Sequence, residues 1–194
     1  MKVLGIVGSP RKNGNTDILV NQVLQGASLS GAETEAILLT DYNIKACKGC
    51  DICMKTSKCV HDDDMPSLFQ KMQDSDVWVL GTPVYFWGPT AQFKTFLDRW
   101  HGIYGSRAVE FRGKRIILII PYEGKVAGHP RYLIGMLTET IRSFKAELLS
   151  VVAARGVYDR GVVKDHDDVM THAIQLGKAV VTGDPCRDFG SMNE

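Results

Sequence analysis

The feature that most constrains this chain is an alternation that runs from end to end. Short apolar runs of about strand length take turns with stretches whose apolar residues recur at helical spacing. Strands buried on both sides are apolar throughout, whereas each connecting helix needs only one apolar stripe, so the pattern reads as a parallel sheet covered by helices on both faces. Strands are expected over residues 2–8, 33–39, 77–81, 115–120 and 147–154. Helices are expected over 16–28, 65–74, from Phe93 through Trp100, 130–146 and 166–182. The fourth strand, Arg115-Ile116-Ile117-Leu118-Ile119-Ile120, carries no polar face and so belongs in the middle of the sheet. Phe93, Phe96, Leu97 and Trp100 fall on one helical face and read as core. Asp62, Asp63, Asp64 and Pro66 suit a helix N-terminus, which explains that acidic run without any metal. No internal repeat, low-complexity segment or linker interrupts the chain, and 194 residues with 44% hydrophobic content suit a single domain over 1–194. The tail after Gly183 is expected to be loose.

Charge excludes some partners. Lys plus Arg total 23 against 22 for Asp plus Glu, so a net charge of +1 supplies no field to attract nucleic acid or an anionic membrane surface. The N-terminus shows neither a signal-peptide pattern nor a membrane span, and a cytoplasmic location is expected. In a reducing compartment clustered cysteines are metal ligands or redox thiols rather than disulfides.

Four cysteines, Cys47, Cys50, Cys53 and Cys59, fall within thirteen residues. Two intervening residues between each of the first three let one tight loop aim three thiolates at a common point, and five more let the chain return with a fourth. A cubane iron-sulfur cluster needs such a loop. Structural zinc sites usually separate two cysteine pairs by a dozen or more residues, which this segment does not, but zinc and simple redox-active thiols stay open as alternatives. Cys186 stands apart from the group, and His61, His101, His129, His166 and His172 show no metal-ligand spacing among themselves. Of these histidines, His129 alone falls in a loop expected on the ligand side.

Two loops carry further chemistry. The first strand ends in Gly8-Ser9-Pro10-Arg11-Lys12-Asn13-Gly14-Asn15-Thr16 and opens a helix, so polar side chains and backbone N–H groups converge where the helix dipole favours a phosphate. Neither a Walker A motif nor the dinucleotide fingerprint is present, which disfavours ATP and a Rossmann-bound nicotinamide. The third strand ends in Gly81-Thr82-Pro83-Val84-Tyr85-Phe86-Trp87-Gly88-Pro89-Thr90. Its three aromatics fall at the carboxyl end of a strand, where open α/β sheets bind ligands. A phosphate loop after strand one and an aromatic loop after strand three are the two contacts that a flavin mononucleotide requires.

Ser9-Pro10-Arg11 with Gly14-Asn15-Thr16, then Thr82-Pro83-Val84-Tyr85 before a helix from Lys94 to Arg99, resemble the NADPH-dependent FMN reductase family over nearly the whole chain. Within it, the four cysteines followed by Asp63-Asp64-Met65 resemble the archaeal and bacterial iron-sulfur flavoproteins. The resemblance implies a flavodoxin-like three-layer sandwich with a five-stranded parallel sheet of order 2-1-3-4-5 and a cysteine-rich insert, 44–62, after the second strand. It implies one FMN and one [4Fe-4S] cluster per chain in a homodimer or homotetramer. Electrons would pass between a ferredoxin-like donor or NAD(P)H and an acceptor, with no catalytic acid or nucleophile required. Carried over residue by residue, Ser9, Arg11, Asn13, Asn15 and Thr16 would contact the phosphate. Pro83, Val84, Tyr85, Phe86 and Trp87, joined by Tyr122 and Glu123 from the loop after strand four, would contact the ring. Cys47, Cys50, Cys53 and Cys59 would hold the cluster. The apolar surface of Tyr85 to Trp87 and Tyr104 points to self-association. Two other readings compete: a cluster-free NAD(P)H-dependent FMN or quinone reductase, and a non-enzymatic flavin carrier or redox sensor.

Overall fold

The computed structural model describes residues 1–106, 109–126 and 128–185, the side chains of 104–106 excepted; Cys186, the tail beyond it and the ring of Tyr104 lie outside. Five strands, β1 (Lys2–Val7), β2 (Glu33–Leu38), β3 (Val77–Gly81), β4 (Arg115–Ile119) and β5 (Glu147–Val152), form one sheet. All pair in parallel in the order β2-β1-β3-β4-β5. The chain begins in the interior of the sheet, winds outward through β2, then crosses β1 to build the other half. That reversal puts the switch point between β1 and β3.

Alternate side chains of each inner strand feed two cores. Leu4, Ile6, Trp78, Leu80, Ile116 and Leu118 face one side, covered by α3 (Met65–Gln73), α4 (Ala91–Asp98) and α6 (Arg131–Ser143). Val3, Val7, Val77, Val79, Ile117 and Ile119 face the other, covered by α1 (Asn15–Leu29) and α7 (Asp167–Thr182). Those two helices cross where each has a glycine. A Cβ on Gly26 would stand 2.1 Å from the Ile174 carbonyl oxygen, and one on Gly177 would stand 2.0 Å from that of Val23.

Some boundaries differ from the pattern reading. The sixth helix stops at Ser143, short of 146, because Phe144 caps it and Lys145 turns the chain at a φ of 62°. The helix of Phe93 ends at Asp98, and Trp100 is buried from a turn that leads into α5 (His101–Ser106). Local periodicity does not register such breaks when the apolar spacing continues across them. A short α2 (Ile52–Thr56) lies inside the cysteine segment. No helix among the described residues is long and apolar enough to cross a membrane.

Candidate functional site

The carboxyl ends of β1, β3, β4 and β5 surround a cleft of about 360 Å³. Its polar end is built by the first loop: Ser9, Arg11, Asn15 and Thr16 line it, with Ser9 and Thr16 themselves buried. Gly14 is the N-cap of α1 and offers no side chain to cap it, so first-turn N–H groups are open to a ligand or to water. Asn13 lies off this lining. It has a φ of 56°, and its N–H donates to the Asp17 carboxylate at 2.7 Å, which makes it a shaping residue of the loop.

The apolar end comes from the aromatic loop. Thr82 and Thr90, both buried, pin its two ends: the Thr82 hydroxyl accepts from the Thr90 N–H at 3.2 Å, and the Thr90 hydroxyl donates to the Gly8 carbonyl and caps α4 through the Phe93 N–H. Between them Tyr85 and Gly88 exchange backbone hydrogen bonds of 2.9 and 3.0 Å across a tight turn. The two residues inside it, Phe86 and Trp87, sit at φ of 47° and 63°, a region that non-glycine residues enter at a cost of roughly 1–2 kcal/mol each. The turn throws the rings outward, and Phe86 is 95% exposed. Pro83, Val84, Tyr85 and Phe86 line the cleft with Tyr122 and Glu123. Trp87 does not; it lines an adjoining cleft that shares Val84, Phe86, Tyr122 and Glu123, where its ring stacks on His129 at 5.8 Å. Burial pushes the Tyr122 hydroxyl above its ordinary pKa, and Arg155 partly opposes that.

The fourth wall was not foreseen from the sequence. Val157, Tyr158 and Arg160, from the loop after β5, complete the cleft. Arg11 donates to the Tyr158 carbonyl at 3.2 Å, Asn15 to that of Asp159 at 2.9 Å, and Arg160 to that of Lys12. The Asn15 amide oxygen in turn accepts from the Val163 N–H at 3.2 Å, so this side chain is spent largely on tying the two loops together. The signal was present: the carboxyl-end rule that drew attention to strands one and three applies equally to strand five, whose loop is bracketed by Gly156 and Gly161.

The cysteines border a separate cavity of about 440 Å³. Cys47, Cys53 and Cys59 line it together with Arg99; Cys50 does not. Burial pushes the Cys53 thiol up, and the neighbouring sulfurs of Cys59 and Cys47 push it the same way. Among the described residues no three His, Cys, Asp or Glu side chains stand together in metal-holding geometry. The donor set nevertheless fits a thiolate-bound cluster: three soft ligands share one cavity, and the fourth lies on a loop turned by Gly49 and Asp51 at φ of 62° and 54°. The acidic run serves this segment as well as α3. Asp63 accepts from the Lys45 N–H at 3.0 Å and Asp64 from the Asn43 N–H at 2.7 Å.

A parallel sheet of this order, with a helix-opening polar loop and an aromatic turn on one cleft at its switch point, defines a flavodoxin-like protein. More narrowly, the chain belongs to the NADPH-dependent FMN reductase family, which it matches over residues 1–139. Over 180 residues it is 34% identical to an iron-sulfur flavoprotein of Archaeoglobus fulgidus, covering 93% of this chain and 79% of that one. A second relative, an iron-sulfur flavoprotein of Methanocaldococcus jannaschii, is 46% identical over 99 residues, about half of each chain. The fold is similar to that of an NAD(P)H:quinone oxidoreductase from Methanothermobacter marburgensis, with a TM-score of 0.71 at 14% identity over 92% of this chain and 94% of that one. It is also similar to a flavone reductase, with a TM-score of 0.64 at 23% identity over 94% and 62%.

Proposed function

We propose that this protein is an FMN-dependent oxidoreductase of the iron-sulfur flavoprotein type. The observation that carries the flavin half is the convergence of Ser9, Arg11 and Thr16 at one end of a cleft with Val84, Tyr85, Phe86 and Tyr122 at the other. A terminal phosphate would accept from the first-turn N–H groups of α1 and from Arg11, with Arg160 adding charge, and a planar ring would rest against the aromatic turn. When bound, a flavin supplies electron transfer in single steps or in pairs; the chain supplies the orientation, the phosphate clamp and the apolar wall. In the single chain the aromatic end of the cleft is open to solvent, with Phe86 and Trp87 exposed at its rim. Such access suits exchange with NAD(P)H or a ferredoxin-like donor.

The cluster half rests on three thiols around one cavity, on the compact four-cysteine spacing, and on the names of the relatives. Cys47, Cys50, Cys53 and Cys59 would hold a [4Fe-4S] cluster. We place the protein in the cytoplasm, whose reducing environment keeps clustered thiols available as ligands, and as a homodimer or homotetramer, on the grounds of the exposed Tyr85, Phe86 and Trp87. Anaerobic purification decides between the readings. Released FMN by mass spectrometry, with iron and acid-labile sulfide near four each per chain, is expected. FAD or no flavin overturns the first half. FMN without iron after reconstitution leaves the plain NAD(P)H-dependent reductase.

A further inference from the structure

Arg99 directly follows α4, and its side chain is only 4% exposed; the carboxylate it pairs with, on Asp63, is 0% exposed. Nη1 donates to Asp63 and to the Lys45 carbonyl at 2.9 Å. Nη2 donates to the other Asp63 oxygen at 3.2 Å and to the Cys59 sulfur at 3.3 Å. The same carboxylate also accepts from the N–H groups of Lys45 and Met65. Anchoring of the guanidinium is therefore complete without the sulfur. Its plane is fixed by a carboxylate and a carbonyl, and the second Nη2 N–H reaches the last of the four cysteines, on a stretch with no regular secondary structure.

We propose that Arg99 is the positioning residue of the cysteine site: it sets where the Cys59 sulfur stands relative to Cys47 and Cys53, and its fixed positive charge favours the more negative redox state of a cluster held there. The redox part rests on the cluster reading; the positioning part rests on the contacts alone. Lysine could pair with Asp63 but lacks the planar fork needed to hold carboxylate, carbonyl and sulfur together. Hydrogen bonds to sulfur and local net charge are among the terms that set cluster potentials.

Two measurements on the full chain test this. The first is a double-mutant cycle by urea unfolding of cluster-free protein, with Arg99→Gln and Cys59→Ala. Arg99→Gln should raise the unfolding equilibrium constant less when Cys59 is already Ala, by about fivefold, as one hydrogen bond would give. Equal losses in both backgrounds overturn the positioning role. The second is a redox titration followed by electron paramagnetic resonance after anaerobic reconstitution with iron and sulfide. At a fixed potential, the reduced-to-oxidised ratio should fall about tenfold in Arg99→Gln, ~59 mV for a one-electron couple. Arg99→Lys should fall less. An unchanged potential at full iron content overturns the charge role. Where Arg99→Gln does not fold, Arg99→Lys replaces it in the unfolding cycle, since it keeps the partner for Asp63 but lacks the fork, and Arg99→Met replaces it in the redox titration, since it keeps an apolar stem and removes the charge. If the wild type takes up no iron, the cluster reading and the redox part fall together, while the unfolding cycle still decides the positioning.

Discussion

Asp63 shows how one buried side chain can hold a segment that has little secondary structure of its own. Burial by itself would raise its carboxyl pKa, but the Arg99 guanidinium and the N–H groups of Lys45 and Met65 outweigh that and hold it below the ordinary carboxylate value. A carboxyl depressed in the folded state contributes stability that is present above its unfolded pKa and lost as pH falls through its folded one. Resistance of the wild type to urea is thus expected to fall on acidification below the ordinary carboxylate range. Asp63→Asn should be less stable at neutral pH, by about 3–5 kcal/mol for a buried pair broken on one side, and should have a flatter acid limb. An unaltered acid limb would show that other carboxylates govern it. Phe86 and Trp87 pose the opposite problem, since their positive φ costs stability where nothing in the isolated chain repays it. Phe86→Asn is expected to raise stability by ~1 kcal/mol and to weaken FMN binding, measured by thermal unfolding and flavin fluorescence. A stability gain without loss of affinity would remove the ring from the proposed contact.

Among the elements, the crossing of α1 and α7 is the least tolerant. Glycine inside a helix normally costs up to about 1 kcal/mol relative to alanine, so Gly→Ala usually stabilises. Here the incoming methyl would meet carbonyl oxygens 2.1 Å away at Gly26 and 2.0 Å away at Gly177, and backbone cannot swing aside as a side chain can. Gly26→Ala and Gly177→Ala are each expected to destabilise by about 3 kcal/mol or more, read from urea unfolding. Gly135, on the exposed face of α6, would have nothing within 4 Å of an added methyl and serves as the control. Gly135→Ala should be neutral or stabilising. Equal responses at all three positions would mean that the helices can slide apart without cost.

For the whole molecule, ligand binding is readable as stability. If FMN binds the folded chain alone, saturation at one hundred times Kd should add about 2.7 kcal/mol. Arg11→Ala should remove about 1.5–3 kcal/mol of that for FMN and leave riboflavin-linked stabilisation unchanged, because riboflavin lacks the phosphate. Equal loss for both ligands would mean that Arg11 acts through its bond to Tyr158. The sheet class, the identity of the inner strands, the polar and aromatic loops and the cysteine group were all legible in the chain, because each is a local pattern: an unbroken apolar run, a period of 3.6, or a spacing within a dozen residues. What tertiary structure alone decided joins residues far apart in sequence. It brought Tyr158 to Arg11 across 147 positions and Asp63 to Arg99 across 36. It also put Cys47, Cys53 and Cys59, but not Cys50, around one cavity, and set Trp87 in the adjoining cleft rather than in the one that Ser9 and Thr16 line. Pairings of this kind leave no periodic trace, since nothing in the neighbouring residues requires them until the sheet has set the distances between its loops.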